Sequence, residues 1–93
     1  MIETTVLDFR LSNTFQQYKA YMEAPEQQVM FSGMGVKLVY LGVSQENQQR
    51  ATVMLQGPED ALHDILKNPQ TKPIVEASGH IYDSTIVARW LAE

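Results

Sequence analysis

Two histidines, no cysteine and a thin scatter of charge limit the chemistry open to this 93-residue chain. His80 follows Gly79 at the head of the last strand-like run, where an imidazole could serve as a general base or as a lone axial ligand. A plainer reading makes it a strand-end histidine bonded to a carbonyl or to water. The plainer reading is preferred, because most histidines lie outside functional sites. Asp8, Arg10 and Asp83 form the second constellation. Beneath Tyr40 they would floor a polar pocket, with an aspartate accepting a proton and Arg10 orienting an anion. The competing reading, a structural ion-pair network at a subunit interface, is again preferred. The candidate ligand-binding set is therefore Asp8, Arg10, Tyr40, His80 and Asp83, with no catalytic residue assigned.

The remaining reactive types point to structure. His63, between Leu62 and Asp64 and off the apolar stripe of a helix, reads as solvated. Met30, Met34 and Met54 suit core filling better than a soft ligand site. Trp90 reads as an anchor for the last strand. Two distant histidines without a His-x-x-x-His spacing or a carboxylate cluster imply no metal and no cofactor. The lack of cysteine removes disulfides, thiolate catalysis and cysteine-based metal sites.

These residues must be positioned by a small fold. A hydrophobic content of 44% argues for a globular chain over a disordered one. At this length we expect one domain over residues 1–93, with a modest core. A net charge of −4 and only seven scattered Lys and Arg give no basic stripe, so no nucleic-acid partner is expected. No apolar run nears the roughly 20 residues of a membrane span, and no signal peptide is visible. A cytoplasmic location without membrane contact follows as the expectation.

The runs Val36–Val43 and Ala51–Gln56, joined by the polar Ser44–Arg50, read as an antiparallel hairpin at the middle of the chain. Before it, Thr4–Leu11 alternates as a strand. Asn13 with Gln16 fits a capping box, and Phe15, Tyr18 and Met22 make the apolar stripe of a helix. Pro25 starts a second short helix carrying Val29 and Met30, closed by Gly33 and Gly35. After the hairpin the order recurs. Gly57-Pro58-Glu59-Asp60 reads as a helix start with proline in the first turn, and Leu62, Ile65 and Leu66 as its buried stripe. Lys67-Asn68-Pro69 ends that helix, Pro73–Ser78 makes another turn, and His80–Leu91 is the final strand. The repeated pattern is β-α-β-β-α-β, an α+β ferredoxin-like sandwich whose four-stranded antiparallel sheet carries its helices on one face.

Such a sheet leaves its other face bare. Alternation places Leu7, Phe9, Leu11, Val39, Leu41, Val43, Ala51, Val53 and Leu55 toward the helices. It places Thr4, Val6, Asp8, Arg10, Val36, Leu38, Tyr40, Arg50, Thr52, Met54 and Gln56 on the open side. For the last strand, Thr85 and Val87 are expected on the open side, and Tyr82, Ile86 and Trp90 inward. Pairing of the first and last strands would bring Arg10 near Asp83, and Asp8 near Thr85 or Arg89. The open face would expose on the order of several hundred Å² of apolar surface, more than a monomer commonly shows. A homodimer packed sheet to sheet is the expected remedy.

Several stretches carry a resemblance: Glu3-Thr4-Thr5-Val6-Leu7, Gly35-Val36-Lys37-Leu38, Gly42-Val43-Ser44, and Gly79-His80-Ile81 with Asp83-Ser84-Thr85 and Trp90-Leu91. Over nearly its whole length the chain resembles an uncharacterised family of short bacterial ferredoxin-like proteins. That family is remotely similar to the dimeric α/β-barrel superfamily, which includes cofactor-free monooxygenases, haem-degrading enzymes and stress-responsive proteins. The resemblance implies a dimeric α/β barrel, and fold alone does not imply activity. We therefore expect a small non-catalytic dimeric module that binds a small-molecule ligand or a partner. The competing reading is a cofactor-independent monooxygenase-like or haem-binding enzyme, with an inter-sheet cavity lined by Tyr40, Asp8 and Asp83 and with His80 at its rim.

Overall fold

The computed structural model describes residues 1–92. Eight elements follow in order: β1 (Ile2–Leu11), α1 (Phe15–Glu23), α2 (Pro25–Gly33), β2 (Lys37–Val43), β3 (Arg50–Pro58), α3 (Ala61–Lys67), α4 (Thr71–Ala77) and β4 (His80–Ala92). The strands form one sheet in the order β2-β3-β1-β4, with every neighbouring pair antiparallel. This is the ferredoxin-like arrangement, with each crossover helix broken in two. Pro25 makes the first break, standing in the opening turn of α2 where its missing N–H costs nothing. Asn68 and Pro69 make the second, between α3 and α4. Among the described residues, no helix is long and apolar enough to cross a membrane.

All the helices pack on one face. Leu7, Phe9, Leu11, Ala51, Val53 and Leu55 are buried from the sheet side, and Tyr18, Met22, Phe31 and Leu62 from the helix side. Strict alternation along β1 and β3 produces this division, as their period of two predicts. In α2 the buried anchor is Phe31. Val29 and Met30, the apolar residues noted for that helix from the sequence, are exposed.

Two helix starts differ from the reading above. The cap of α1 is Thr14, whose Oγ1 accepts from the Gln17 N–H while the Gln17 side chain accepts from the Thr14 N–H. Asn13 does not cap the helix; its Nδ2 donates to the Ser78 carbonyl and ties the end of β1 to the α4–β4 junction. Pro58 belongs to β3, paired with Ile2, and α3 begins only after Asp60, which turns the chain at φ 69°. Sheet pairing thus extends through a proline that local pattern assigns to a helix.

Bulges reset the phase of both edge strands. Leu38 pairs with Leu55 and Tyr40 with Met54, so Val39 is an extra residue in β2. Upstream of it the faces are exchanged, so Val36 is buried and Leu38 packs against the core, where the open side was expected for both. In β4 the irregularity is larger, because Phe9 alone faces the four residues Tyr82–Thr85. Beyond it, Ile86 pairs with Asp8, Ala88 with Val6 and Trp90 with Thr4, all on the open face, whereas Val87 pairs with Leu7 on the helix side. The expected phase of Ile86, Val87 and Trp90 is thereby reversed. Hydroxyl groups stitch the bulge: Ser84 Oγ accepts from the Arg10 N–H at 2.8 Å and donates to the Ile81 carbonyl at 2.6 Å, while Thr85 Oγ1 donates to the Tyr82 carbonyl at 2.7 Å.

Candidate functional site

The five candidate residues divide among three places. Asp8, Arg10 and Tyr40 lie on the open face. Asp8 pairs with Arg50 at 2.8 Å, and Arg10 stands directly opposite Arg50 across the β1–β3 pair. The Tyr40 ring lies over Gly42, so close that a Cβ there would meet ring carbons at 2.9 Å. Asp83 is elsewhere, on the outer side of the β4 bulge, where Lys72 of α4 holds it at 3.2 Å. Neither expected pairing occurs: Arg10 is not joined to Asp83, and Arg89 turns to Glu3 at 2.8 Å and to Asp60. The three acidic and basic candidates therefore do not build one polar pocket floor.

His80 is on the opposite side of the sheet from Tyr40. It pairs with Leu11 on the helix side and is buried. Its ring stacks on Phe9 with centroids 3.6 Å apart, and Phe9 in turn meets Tyr18 edge-on at 5.3 Å. His80 Nε2 lies 2.6 Å from Thr85 Oγ1. That hydroxyl spends its proton on the Tyr82 carbonyl, so the network puts the imidazole proton on Nε2 as donor to Thr85. Burial pushes the imidazole pKa down to about 4, which keeps the ring neutral at physiological pH.

These groups face a cavity of about 260 Å³ between the helix pair α1–α2, the pair α3–α4 and the sheet beneath. Leu7, Val53 and Leu55 line it from the sheet, Met22 and Phe31 from the first helix pair, and Leu62 from the second. Tyr18 and His80 also line it, together with Ser78 and Thr71. No charged side chain does. The cavity lies between the two helix pairs, each of which is broken at a proline into two short helices. Sequence pattern assigned Tyr18 to the core stripe and nothing more. A phenol on a buried stripe was the available signal, since a buried hydroxyl calls for a partner.

The arrangement suits retention of a small apolar molecule better than acid–base chemistry. A neutral imidazole with Nε2 already engaged, and no carboxylate beside it, is a weak proton acceptor. Haem does not fit. At about 260 Å³ the cavity is smaller than the roughly 300–1,000 Å³ usual for drug-sized ligands, and the one imidazole lining it directs Nε2 at Thr85. Among the described residues, no group of three or more potential metal ligands is gathered.

Comparison with solved structures supports the fold. A candidate antibiotic biosynthesis monooxygenase from Bordetella bronchiseptica matches with a TM-score of 0.65 at 13% identity, covering 99% of this chain and 97% of that one. SnoaB, a cofactor-independent oxygenase from Streptomyces nogalater, matches with a TM-score of 0.56 at 12% identity, over 99% and 93%. A dimeric ferredoxin-like protein from an uncultured marine organism matches with a TM-score of 0.56 at 8% identity, over 99% and 90%. No curated protein sequence matches the chain. Residues 2–92 match the family described as a domain of unknown function, DUF3764.

Proposed function

The chain belongs to the DUF3764 family, and from that premise we propose that it is a non-catalytic homodimeric module that holds a small apolar molecule beneath its helices. The observation that carries this reading is the cavity itself, apolar on nearly every side and lacking any nucleophile paired with a base. The homodimer is supported by the open face. There Tyr40, Ile86 and Trp90 are each more than half exposed, at 52%, 60% and 65%, around Val6 and Met54. A second copy packed on this face would shelter them, with Asp8 and Arg50 entering the interface already paired. The dimeric ferredoxin-like protein of the same architecture agrees with that assembly.

Light scattering at micromolar concentration tests the assembly, and a monomer would refute it. Thermal shift against a library of neutral and charged small molecules tests the binding, because a ligand selective for the native state raises apparent stability. A second reading, a cofactor-independent oxygenase, draws on the neutral imidazole of His80 facing the cavity and on the likeness to SnoaB. Dioxygen uptake with a dihydroxynaphthalene above the non-enzymatic rate, abolished in His80→Phe, would establish it in place of the first.

A further inference from the structure

We propose that the cavity takes an uncharged ligand that presents one hydrogen-bond acceptor, a carbonyl or ether oxygen, to the hydroxyl of Tyr18. This rests on the ligand-binding reading above and specifies the chemistry of the occupant.

Charge is excluded by the walls. A charged ligand would find no counter-ion among the lining side chains and would surrender its hydration on entry. The protein's own titrating groups show the same environment at work. Burial raises the Tyr18 phenol above its ordinary value and lowers the His80 imidazole, so each keeps its neutral form.

The acceptor follows from an accounting of donors. His80 Nε2 is directed at Thr85 Oγ1. Ser78 Oγ donates to the Val75 carbonyl and Thr71 Oγ1 to the Ile65 carbonyl, both at 2.6 Å. Gln27 and Tyr21 are half-buried and reach solvent. Tyr18 differs: it is only 2% exposed, and its hydroxyl hydrogen-bonds to none of the described residues. The phenol stays protonated and is a donor, and its oxygen is absent from the buried atoms left without a partner, so the hydroxyl opens onto the cavity. A ligand oxygen in the cavity would supply the acceptor that the protein does not. Met30 of α2 and Ile74 of α4 line the cavity and are also exposed, so they mark an apolar mouth between the helix pairs.

Three naphthalenes of similar shape test this by isothermal titration calorimetry on the full chain: 2-acetylnaphthalene, 2-ethylnaphthalene and 2-naphthoate. The ketone is expected to bind, and the carboxylate to bind at least tenfold more weakly. Tyr18→Phe is expected to weaken the ketone roughly fivefold, the equivalent of one hydrogen bond of about 1 kcal/mol, and to leave the hydrocarbon unchanged. Unchanged hydrocarbon binding also shows that the variant keeps its cavity. The inference is overturned if the carboxylate binds as well as the ketone, or if Tyr18→Phe binds the ketone like the parent. Should the variant fail to fold, the parent decides, since ketone binding no tighter than hydrocarbon binding removes the acceptor. If neither neutral probe binds the parent, the ligand-binding reading falls as well.

Discussion

Phe9 and His80 lie ring on ring, their planes 7° from parallel, inside the layer that the helices cover. This stack makes His80 part of the core and gives its titration a structural consequence. The folded-state pKa of about 4 lies below the ordinary value of 6.5. The unfolded chain therefore binds the proton more readily, and this group's contribution to stability is fully present above pH 6.5. It is lost as the pH falls toward 4, by an amount on the order of 3 kcal/mol. Urea denaturation at pH 7 and pH 4.5 should show the parent losing more stability than His80→Phe, which keeps a ring but carries no titrating nitrogen. Equal losses would show that His80 does not titrate as a buried group.

The hydroxyls of the β4 bulge should be unequal. Ser84→Ala removes an acceptor for the Arg10 N–H near solvent and is expected to cost about 1 kcal/mol. Thr85→Val keeps the shape but strands the buried imidazole N–H, at about 2 kcal/mol. Chemical denaturation of the two variants checks the order, and a reversed order would mean that the His80–Thr85 bond contributes little.

Gly79 turns the chain into β4 with φ at +100°, and a Cβ there would overlap the Asn13 side chain. Asn13 cannot withdraw without breaking its bond to the Ser78 carbonyl. Gly79→Ala should therefore destabilise by about 2 kcal/mol or more, combining backbone strain with steric overlap. A thermal melt indistinguishable from the parent's would remove the argument.

Val6 stands at the centre of the open face, between Met54 and Ala88 in the pairing. If the proposed dimer forms through this face, Val6→Lys should give a monomer by light scattering and leave the circular dichroism unchanged, because the side chain points away from the helices. A variant that remains dimeric would locate the interface on another surface.

Much of the architecture was legible in the chain. β1 and β3 have unbroken alternation, and both neighbours of each lie within the sheet, so a pattern of period two names their buried faces directly. Pro25 and Pro69 announce the broken helices because their effect on backbone geometry is local. The phase of β2 and β4 was not legible. A bulge is a mismatch in pairing between two strands, and Val39 or Tyr82–Thr85 look like ordinary strand residues until their partners are known. The candidate site was dispersed for the same reason. His80 and Tyr40 fall on opposite faces because the intervening registers, not their own types, decide which way they point. The cavity depends on how far two helix pairs stand apart, a distance that no residue encodes alone. What the sequence by itself determined is the order of elements, their breaks and the two inner strand faces. The bulged registers, the burial of His80 and the space in front of Tyr18 were decided only when the strands paired and the helices settled on them.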